Sequence, residues 1–403
     1  MKILYSAFAC NPYIGSEAQC GWAWAEAMRN YSEVSIITRE ENRNSIQRYL
    51  KEEGIDNVTM YYHDAVLWSN IFTKHEKMYF IYYIAWQYTV EKAISKIYQT
   101  NKFDLVQHIT LGDYRVVPPL WKTGIDYVFG PVGGAQTTPN VFYPYVKDHR
   151  IEELKRTFIN HFMLNLPWHV KSLNHAKYIF AANEETKIFL QKKIKQKEKC
   201  DLLTENGVYY VKESPCYDMD RENNTVFFLW AGRLIYRKGL DFLVDVVSEI
   251  DRKLDYKFVI LGDGPERKIL LAKCNDLGIS DRMHFVGKIP YEEMGKYYRQ
   301  ADVFVFPSLR ETTGTVLFEA MSNGLPVISL EQNGAKLLID ETCGRLVPIK
   351  DRNLRSIIQQ FKEHCEELIK SEELRKKLGK GAMIRMENYT WDNKCKQFLS
   401  KYC

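Results

Sequence analysis

Short apolar runs alternate with longer amphipathic segments along the whole chain of 403 residues. In the segment 291–301, for example, the apolar residues recur at helical spacing. This alternation predicts parallel sheets covered by helices on both faces, one sheet in each half of the chain. We expect strands at 3–8, 34–38, 58–62, 105–109, 127–129 and 178–181, and then at 226–230, 258–261, 284–286, 303–306 and 327–329.

The length is that of two to three domains, and the segment from about 205 to 224 is polar and without periodicity. We therefore predict two doubly wound α/β domains, one at 1–205 and one at 206–388. A hydrophobic content of 45% and a charged content of 27% are those of a globular protein. The net charge is only +5, so bulk charge gives no support to nucleic-acid binding.

The nine cysteines are irregularly spaced and include no C-x-x-C pair. This pattern predicts free thiols in a reducing compartment and disfavours a disulfide framework or a structural zinc site. The apolar run at 3–10 is too short for a secretion signal, and we interpret it as a first buried strand. We expect a cytoplasmic location, either free or at the inner face of a membrane.

Two segments have an alternative interpretation as membrane-contacting surfaces. The uncharged stretch 78–90 is too short to span a bilayer, which needs about 20 residues. It is either a buried helix or a helix whose aromatic face rests on a membrane surface. The lysine-rich run at 187–199 is either a solvated face or a patch attracted to anionic lipid headgroups.

Two carboxylates, Glu311 and Glu319, flank the start of a predicted helix that follows the strand at 303–306 and Gly314. A helix N-terminus binds phosphate through its N–H groups and its dipole. Ionised carboxylates only accept hydrogen bonds, so they suit hydroxyl-rich groups on either side of that phosphate. A nucleotide-diphosphate sugar has this layout.

Cations are expected near the same phosphates. Arg233 and Lys238 follow the strand at 226–230 and precede a predicted helix. Arginine can bind two phosphate oxygens at once, and lysine acts as a point charge. The two residues can therefore stabilise the charge on a departing diphosphate.

Several loops carry weaker signals. Gly15 precedes the helix at 18–28, where glycine allows close approach to a ligand, although a plainly capped helix explains it as well. Gly262 ends the strand at 258–261, and Lys288 and Ile289 follow the strand at 284–286. Position 267 is arginine, so a G-x-G-x-x-G dinucleotide fingerprint is absent there.

The strand at 105–109 carries Gln107 and His108, which face opposite sides, so that one of them points to the site. We favour His108, with a buried structural histidine as the alternative. The glycines of 130–134 either shape the sugar or acceptor pocket or form a plain turn. The D-x-D sequence at 218–220 lies in the boundary segment and is interpreted as chance rather than as a metal site.

The Glu-x7-Glu segment at 311–319 and the G-R-L-x-x-x-K-G segment at 232–239 resemble the motifs of glycosyltransferase family 4. The resemblance covers nearly the whole chain and is strongest over about 226–348. It implies the GT-B fold, in which two Rossmann-like domains face a cleft, and a final helix, here about 389–403, that returns to the first domain. It also implies a retaining, metal-independent hexosyltransferase without a cofactor.

In this family the matching residues have assigned roles. The resemblance implies that Glu311 orients the sugar, Glu319 holds the ribose, Arg233 and Lys238 bind the diphosphate, and His108 contacts the sugar. The remaining implied donor contacts are Gly15, Gly262, Lys288, Ile289, Gly314, Thr315 and Val316.

The early G-S-E loop resembles a branch associated with bacterial surface polysaccharides, which implies a saccharide or lipid-linked acceptor. Thr312 and Thr313 replace a common glycine–aromatic pair, so the resemblance does not identify the transferred sugar. A nucleotide-sugar epimerase and a non-catalytic nucleotide-sugar-binding protein are the alternative functions.

Overall fold

The computed structural model describes residues 1–15, 17–65, 76–209 and 224–402. The chain divides into two compact units. The first unit comprises Met1–Ala135, Arg156–Gly207 and Trp391–Cys403, and the second comprises Gln136–Lys155 and Val208–Thr390. The D-x-D sequence at 218–220 lies outside the described residues.

Each unit contains one parallel sheet, as the alternation in the sequence predicts. The strands of the first unit are Lys2–Ala7 (β1), Glu33–Thr38 (β2), Val58–Tyr62 (β3), Leu105–Thr110 (β4), Asp126–Val132 (β5), Tyr178–Ala181 (β6) and Cys200–Leu202 (β7). Those of the second unit are Val226–Ala231 (β8), Tyr256–Leu261 (β9), Met283–Gly287 (β10), Val303–Phe306 (β11), Val327–Leu330 (β12) and Gly344–Val347 (β13).

The α-helices of the described residues lie between these strands and after the last one. They are Glu17–Met28 (α1), Arg43–Glu52 (α2), Glu76–Thr100 (α3), Arg150–Asn165 (α4), Pro167–His175 (α5), Glu184–Leu190 (α6), Leu240–Glu249 (α7), Arg267–Asp276 (α8), Met294–Gln300 (α9), Thr315–Ser322 (α10), Asn333–Leu338 (α11), Leu354–Lys370 (α12), Glu372–Glu387 (α13) and Trp391–Tyr402 (α14).

The two sheets share one strand order. The first is seven-stranded, β3-β2-β1-β4-β5-β6-β7, and the second is six-stranded, β10-β9-β8-β11-β12-β13. In both, the first strand of the unit is central and the chain winds outward on each side, as in doubly wound nucleotide-binding folds. The strands β7 and β13 are not predicted from the sequence, because each is short and carries a charged residue.

Alternate residues of β1 show why its sheet is covered on both faces. Ile3 and Tyr5 belong to an apolar cluster with α1 and α14, whereas Leu4, like Phe8 just after the strand, belongs to one with α3. A strand that is apolar on both sides has to be buried on both sides. The last helix, α14, packs on α1 through ring contacts between Trp24 and Trp391, 5.5 Å apart.

The segment 136–155 groups with the second unit, although the sequence analysis places it before the boundary at 205. Its residues Phe142 and Val146 are fully buried in the core of the second unit. The ring of Phe142 lies 5.6 Å from that of Phe242 on α7, and the Tyr145 hydroxyl donates to Asp245 at 2.7 Å. These aromatic residues are anchored by partners that lie about 100 positions later, which local sequence patterns do not reveal.

Helix α3 contains the uncharged stretch 78–90. Tyr83 and Trp86 are fully buried, whereas Ile81 and Tyr88 are exposed, so the stretch is a helix with one face in the core. Within the described ranges, none of the helices combines the length and the hydropathy that crossing a bilayer requires.

Seven cysteines are described, and all of them are buried free thiols.

Candidate functional site

The predicted donor residues of the second unit lie in the loops at the carboxyl ends of β8, β9, β10 and β11 and in the first turns of α10; we call this region the donor edge. In a parallel sheet these ends lie at one edge, where doubly wound folds bind ligands. Backbone hydrogen bonds join the loops: Leu234 donates to Asp263 at 3.0 Å, and Leu309 donates to Arg237 at 2.9 Å. The edge is therefore a connected structure rather than a set of independent loops.

Glu311 and Lys238 form an ion pair at this edge, and Arg237 approaches the same carboxylate at 3.5 Å. The two paired side chains are only 16% and 17% exposed. Burial alone would raise the pKa of Glu311, but Lys238 and Arg237 outweigh it and hold that pKa below its usual range. The sequence predicts separate contacts for Glu311 and Lys238, and their direct pairing is seen only in the structure.

Helix α10 begins beside this pair. Its first residues, Thr315 and Val316, are partly buried, and Gly314 at the N-cap adopts a positive φ of 87° and provides no side-chain cap. A Cβ at Gly314 would lie 2.7 Å from Cζ of Phe306, so a larger residue would clash with the preceding strand. The glycine thus fixes a helix start whose N–H groups and dipole suit an anion.

Glu319 lies one turn into α10 and accepts hydrogen bonds from two tyrosines. The hydroxyl of the buried Tyr298 donates at 2.6 Å, and that of the exposed Tyr291 donates at 3.3 Å. Burial raises the pKa of Glu319 and the two phenols oppose that rise. The sequence predicts that both tyrosines lie on an apolar helix face, so it does not reveal them as hydrogen-bond donors.

Gly262 explains how two of the loops come together. It adopts a positive φ of 121°, and a Cβ there would lie 1.8 Å from the carbonyl oxygen of Gly232. Only glycine allows this approach. The neighbouring Arg233 is exposed, and Lys288 is exposed just after β10, while Ile289 packs against an apolar cluster of the same unit.

In the first unit, the structure does not support the predicted sugar contact of His108. The side chain is fully buried, and its ring nitrogens contact Ser6 at 3.3 Å, Tyr83 at 3.1 Å and Gln87 at 2.8 Å. Burial lowers its pKa to about 3, so the imidazole is neutral. Gln107 is also buried and donates to the Gly130 carbonyl at 2.8 Å.

The reason is that β4 continues to Thr110 and lies between β1 and β5, with both of its faces covered. His108 is therefore an interior residue here. Gly15 is exposed in the first unit, and a Cβ there would meet nothing within 4 Å. Packing within that unit thus does not account for this glycine.

A metal site does not appear among the described residues, where no group of three or more histidine, cysteine, aspartate or glutamate side chains is placed to hold an ion. The donor edge of the second unit is instead built from an ion pair, a helix start and a carboxylate bonded to two phenols. Such an arrangement can bind an anion next to hydroxyl groups.

The match to a family model lies in the second unit. Residues 219–385 match the family model described as "Glycosyl transferases group 1". An uncharacterized glycosyltransferase of Methanocaldococcus jannaschii, MJ1607, is 29% identical over 182 residues, which are 45% of this chain and 45% of that protein. The chain thus matches about half the length of its first curated relatives.

The structural comparisons concern the whole chain. The lipopolysaccharide outer core galactosyltransferase WaaB is similar with a TM-score of 0.66 and 17% identity, covering 100% of this chain and 99% of that one. Anabaena HepE in complex with UDP-glucose is similar with a TM-score of 0.60 and 15% identity, covering 99% of each chain. The chain has the GT-B fold of glycosyltransferases, and its residues 219–385 match the group 1 glycosyltransferases.

Proposed function

We propose that this protein is a retaining glycosyltransferase that moves a sugar from a nucleotide-diphosphate sugar to a saccharide or lipid-linked acceptor. The observation that carries the proposal is the ion pair of Glu311 and Lys238 beside the start of α10. It brings a carboxylate, a cation and the start of a helix to one edge of one sheet. The HepE structure holds UDP-glucose on the same fold, which supports a donor of this class.

Binding of the donor would separate the ion pair of Glu311 and Lys238. The diphosphate takes Lys238, Arg233 and the N–H groups of Thr315 and Val316, and Glu311 then accepts hydrogen bonds from the sugar hydroxyls. Before the donor binds, Lys238 and Arg237 hold the pKa of Glu311 below its usual range, so the carboxylate is ionised when the sugar hydroxyls reach it. Glu319 accepts from the ribose hydroxyls. Gly262, Lys288 and Ile289 line the nucleotide end, and Gly15 belongs to the proposed acceptor side.

The transfer step breaks the bond between the anomeric carbon and the diphosphate oxygen. The acceptor hydroxyl forms the new bond on the same face, which retains the configuration, and its proton passes to the leaving phosphate oxygen. Lys238, Arg233 and the α10 dipole stabilise the charge on the diphosphate. These protein groups let the proposed reaction proceed without a metal, so transfer should survive EDTA.

The test is a thermal-shift screen of nucleotide-diphosphate sugars, followed by product analysis with the donor that binds. A ligand that binds only the native state raises its stability. Transfer to a saccharide or lipid-linked acceptor with retained configuration supports the proposal. Conversion of the donor to an isomer without acceptor would indicate an epimerase. Binding without any turnover would indicate a non-catalytic protein.

Peripheral contact with a membrane is part of the proposal, in line with a place in bacterial surface polysaccharide synthesis at the cytoplasmic face. Exposed apolar side chains of the first unit cluster on neighbouring helices: Phe158 and Phe162 stack at 6.2 Å, and Tyr88 meets Trp168 at 6.0 Å. His161 contacts Phe189 of α6 at 5.2 Å.

Exposed lysines at 192, 193, 195 and 197 follow α6. Lys192 itself lies 5.2 Å from the ring of Phe189, so the basic run adjoins the apolar face. Apolar rings flanked by lysines suit an anionic lipid surface.

Vesicle sedimentation tests this contact. The wild type should bind vesicles that contain anionic lipid, and Phe158→Ser with Phe162→Ser should weaken that binding. Ile384→Ser, at an exposed apolar position of the second unit, is the matched control. Equal binding by all variants would contradict the contact.

A further inference from the structure

The segment 136–155 forms hydrogen bonds with the residues immediately before and after Glu311. Arg310, immediately before Glu311, donates to Glu153 through Nε at 3.2 Å and through Nη2 at 2.9 Å. Thr312, immediately after it, accepts a hydrogen bond from Nε2 of Gln136 at 3.0 Å. All of these residues belong to the second unit, so the arrangement is internal to it.

The pair of Glu153 and Arg310 is well enclosed, since its side chains are 6% and 11% exposed. The hydroxyl of Tyr236 donates to the same oxygen of Glu153 at 2.8 Å, and its ring stacks on His149 at 4.0 Å. Tyr236 lies in the phosphate-binding loop between Arg233 and Lys238. One carboxylate therefore connects both loops of the donor edge.

The charge of Arg310 links its ion pair with Glu153 to the behaviour of Glu311. Arg310 is a permanent cation next in sequence to the carboxylate that the proposed reaction uses. A buried guanidinium that loses its partner is costly and will take another carboxylate if one is in reach. With Glu153 present, Arg310 is already paired, and Lys238 remains the close partner of Glu311.

We propose that Glu153 is a positioning residue for the donor sugar: by pairing with Arg310, it keeps Glu311 available to the sugar hydroxyls. This inference rests on the proposed function, because it gives Glu153 a role in donor binding. It assigns that role to a segment that lies far in sequence from both donor motifs and contains neither of them.

The test compares Glu153→Gln with Glu152→Gln. Glu152 is the adjacent carboxylate, its side chain is 65% exposed, and it faces His149. Glu153→Gln should weaken binding of the nucleotide-diphosphate sugar about tenfold, the effect of one charge-assisted hydrogen bond, and leave binding of the free nucleoside diphosphate unchanged. Glu152→Gln should change neither. Calorimetry measures both affinities, and circular dichroism checks that the variants are folded.

The double variant Glu153→Gln with Arg310→Gln separates positioning from general damage. Removing the released cation should restore sugar-nucleotide affinity toward that of the wild type. In a Glu311→Gln background, Glu153→Gln should have no further effect. An additive loss in the double variant, or an equal loss for sugar nucleotide and free nucleotide, would overturn the inference.

The two proposals fail in different ways. A wild-type protein that binds no nucleotide-diphosphate sugar overturns the proposed function and this inference together. A wild type that binds and transfers, with Glu153→Gln indistinguishable from Glu152→Gln, overturns this inference alone.

Discussion

The two units repeat one strand order but differ in what they place near the carboxyl ends of their central strands. In the first unit, Gln107, His108 and Thr110 on β4 are fully buried. In the second unit, Glu311 and Lys238 retain some exposure and Arg233 is exposed. The predicted site residues on β4 are thus enclosed, whereas the predicted donor residues of the second unit reach its surface, which directs the search for the donor site to the second unit.

The strongest test of this difference is Glu311→Ala. Removing the carboxylate takes away the group proposed to orient the sugar, so transfer should fall by about 10²–10³-fold, as for loss of one preorganised electrostatic contact. Binding of the free nucleoside diphosphate should stay close to that of the wild type. Steady-state kinetics and calorimetry measure the two quantities.

Glu292→Ala, at an exposed position just before α9, is the control for that experiment and should behave as the wild type. Normal turnover in Glu311→Ala would remove the main reason for placing the chemistry in the second unit.

Arg233→Ala tests the phosphate end of the same edge. Its exposed guanidinium is proposed to bind the diphosphate, so the variant should lose about 1.5–3 kcal/mol of binding free energy for the nucleoside diphosphate. Arg252→Ala is the control, because that arginine lies in the same unit and donates to the carbonyls of Leu277 and Gly278. Unchanged affinity in Arg233→Ala would show that the diphosphate lies elsewhere.

His108→Ala tests the first unit. Ser6, Tyr83 and Gln87 would lose a buried partner, so the free energy of unfolding should fall by about 1–3 kcal/mol. Turnover of the molecules that stay folded should remain near that of the wild type. Chemical denaturation and active-site-normalised kinetics measure these effects, with the exposed His175→Ala as control. A large loss of turnover at unchanged stability would restore His108 to the sugar site.

These cases show what the sequence can and cannot predict. The alternation of apolar runs predicts both sheets, because a strand buried on two faces has to be apolar throughout. The residues of the Glu-x7-Glu segment were identified from local spacing. The pairing of Glu153 with Arg310 was not, since its partners lie 157 positions apart and neither belongs to a motif. The hydrogen bonds from Tyr291 and Tyr298 to Glu319 were not predicted either, because the helical spacing of these tyrosines indicates only an apolar face.

The smallest expected effect concerns one of those tyrosines. Tyr298 donates to Glu319 from a buried position and opposes the rise in its pKa that burial causes. Tyr298→Phe should raise that pKa further. An ionised carboxylate accepts stronger ribose hydrogen bonds than a protonated one and offers both oxygens, so nucleotide affinity falls as the pH drops through the pKa of Glu319. In the variant this fall should begin at a higher pH, and near that pH affinity should be lower by about 1 kcal/mol.

Tyr291→Phe removes the longer, exposed hydrogen bond and should shift the profile less. Calorimetry with the nucleoside diphosphate across pH 5–8 measures both profiles. Identical profiles for the wild type and Tyr298→Phe would contradict the assignment of Glu319 to the ribose and would leave Glu311 as the carboxylate that the proposal places against the donor.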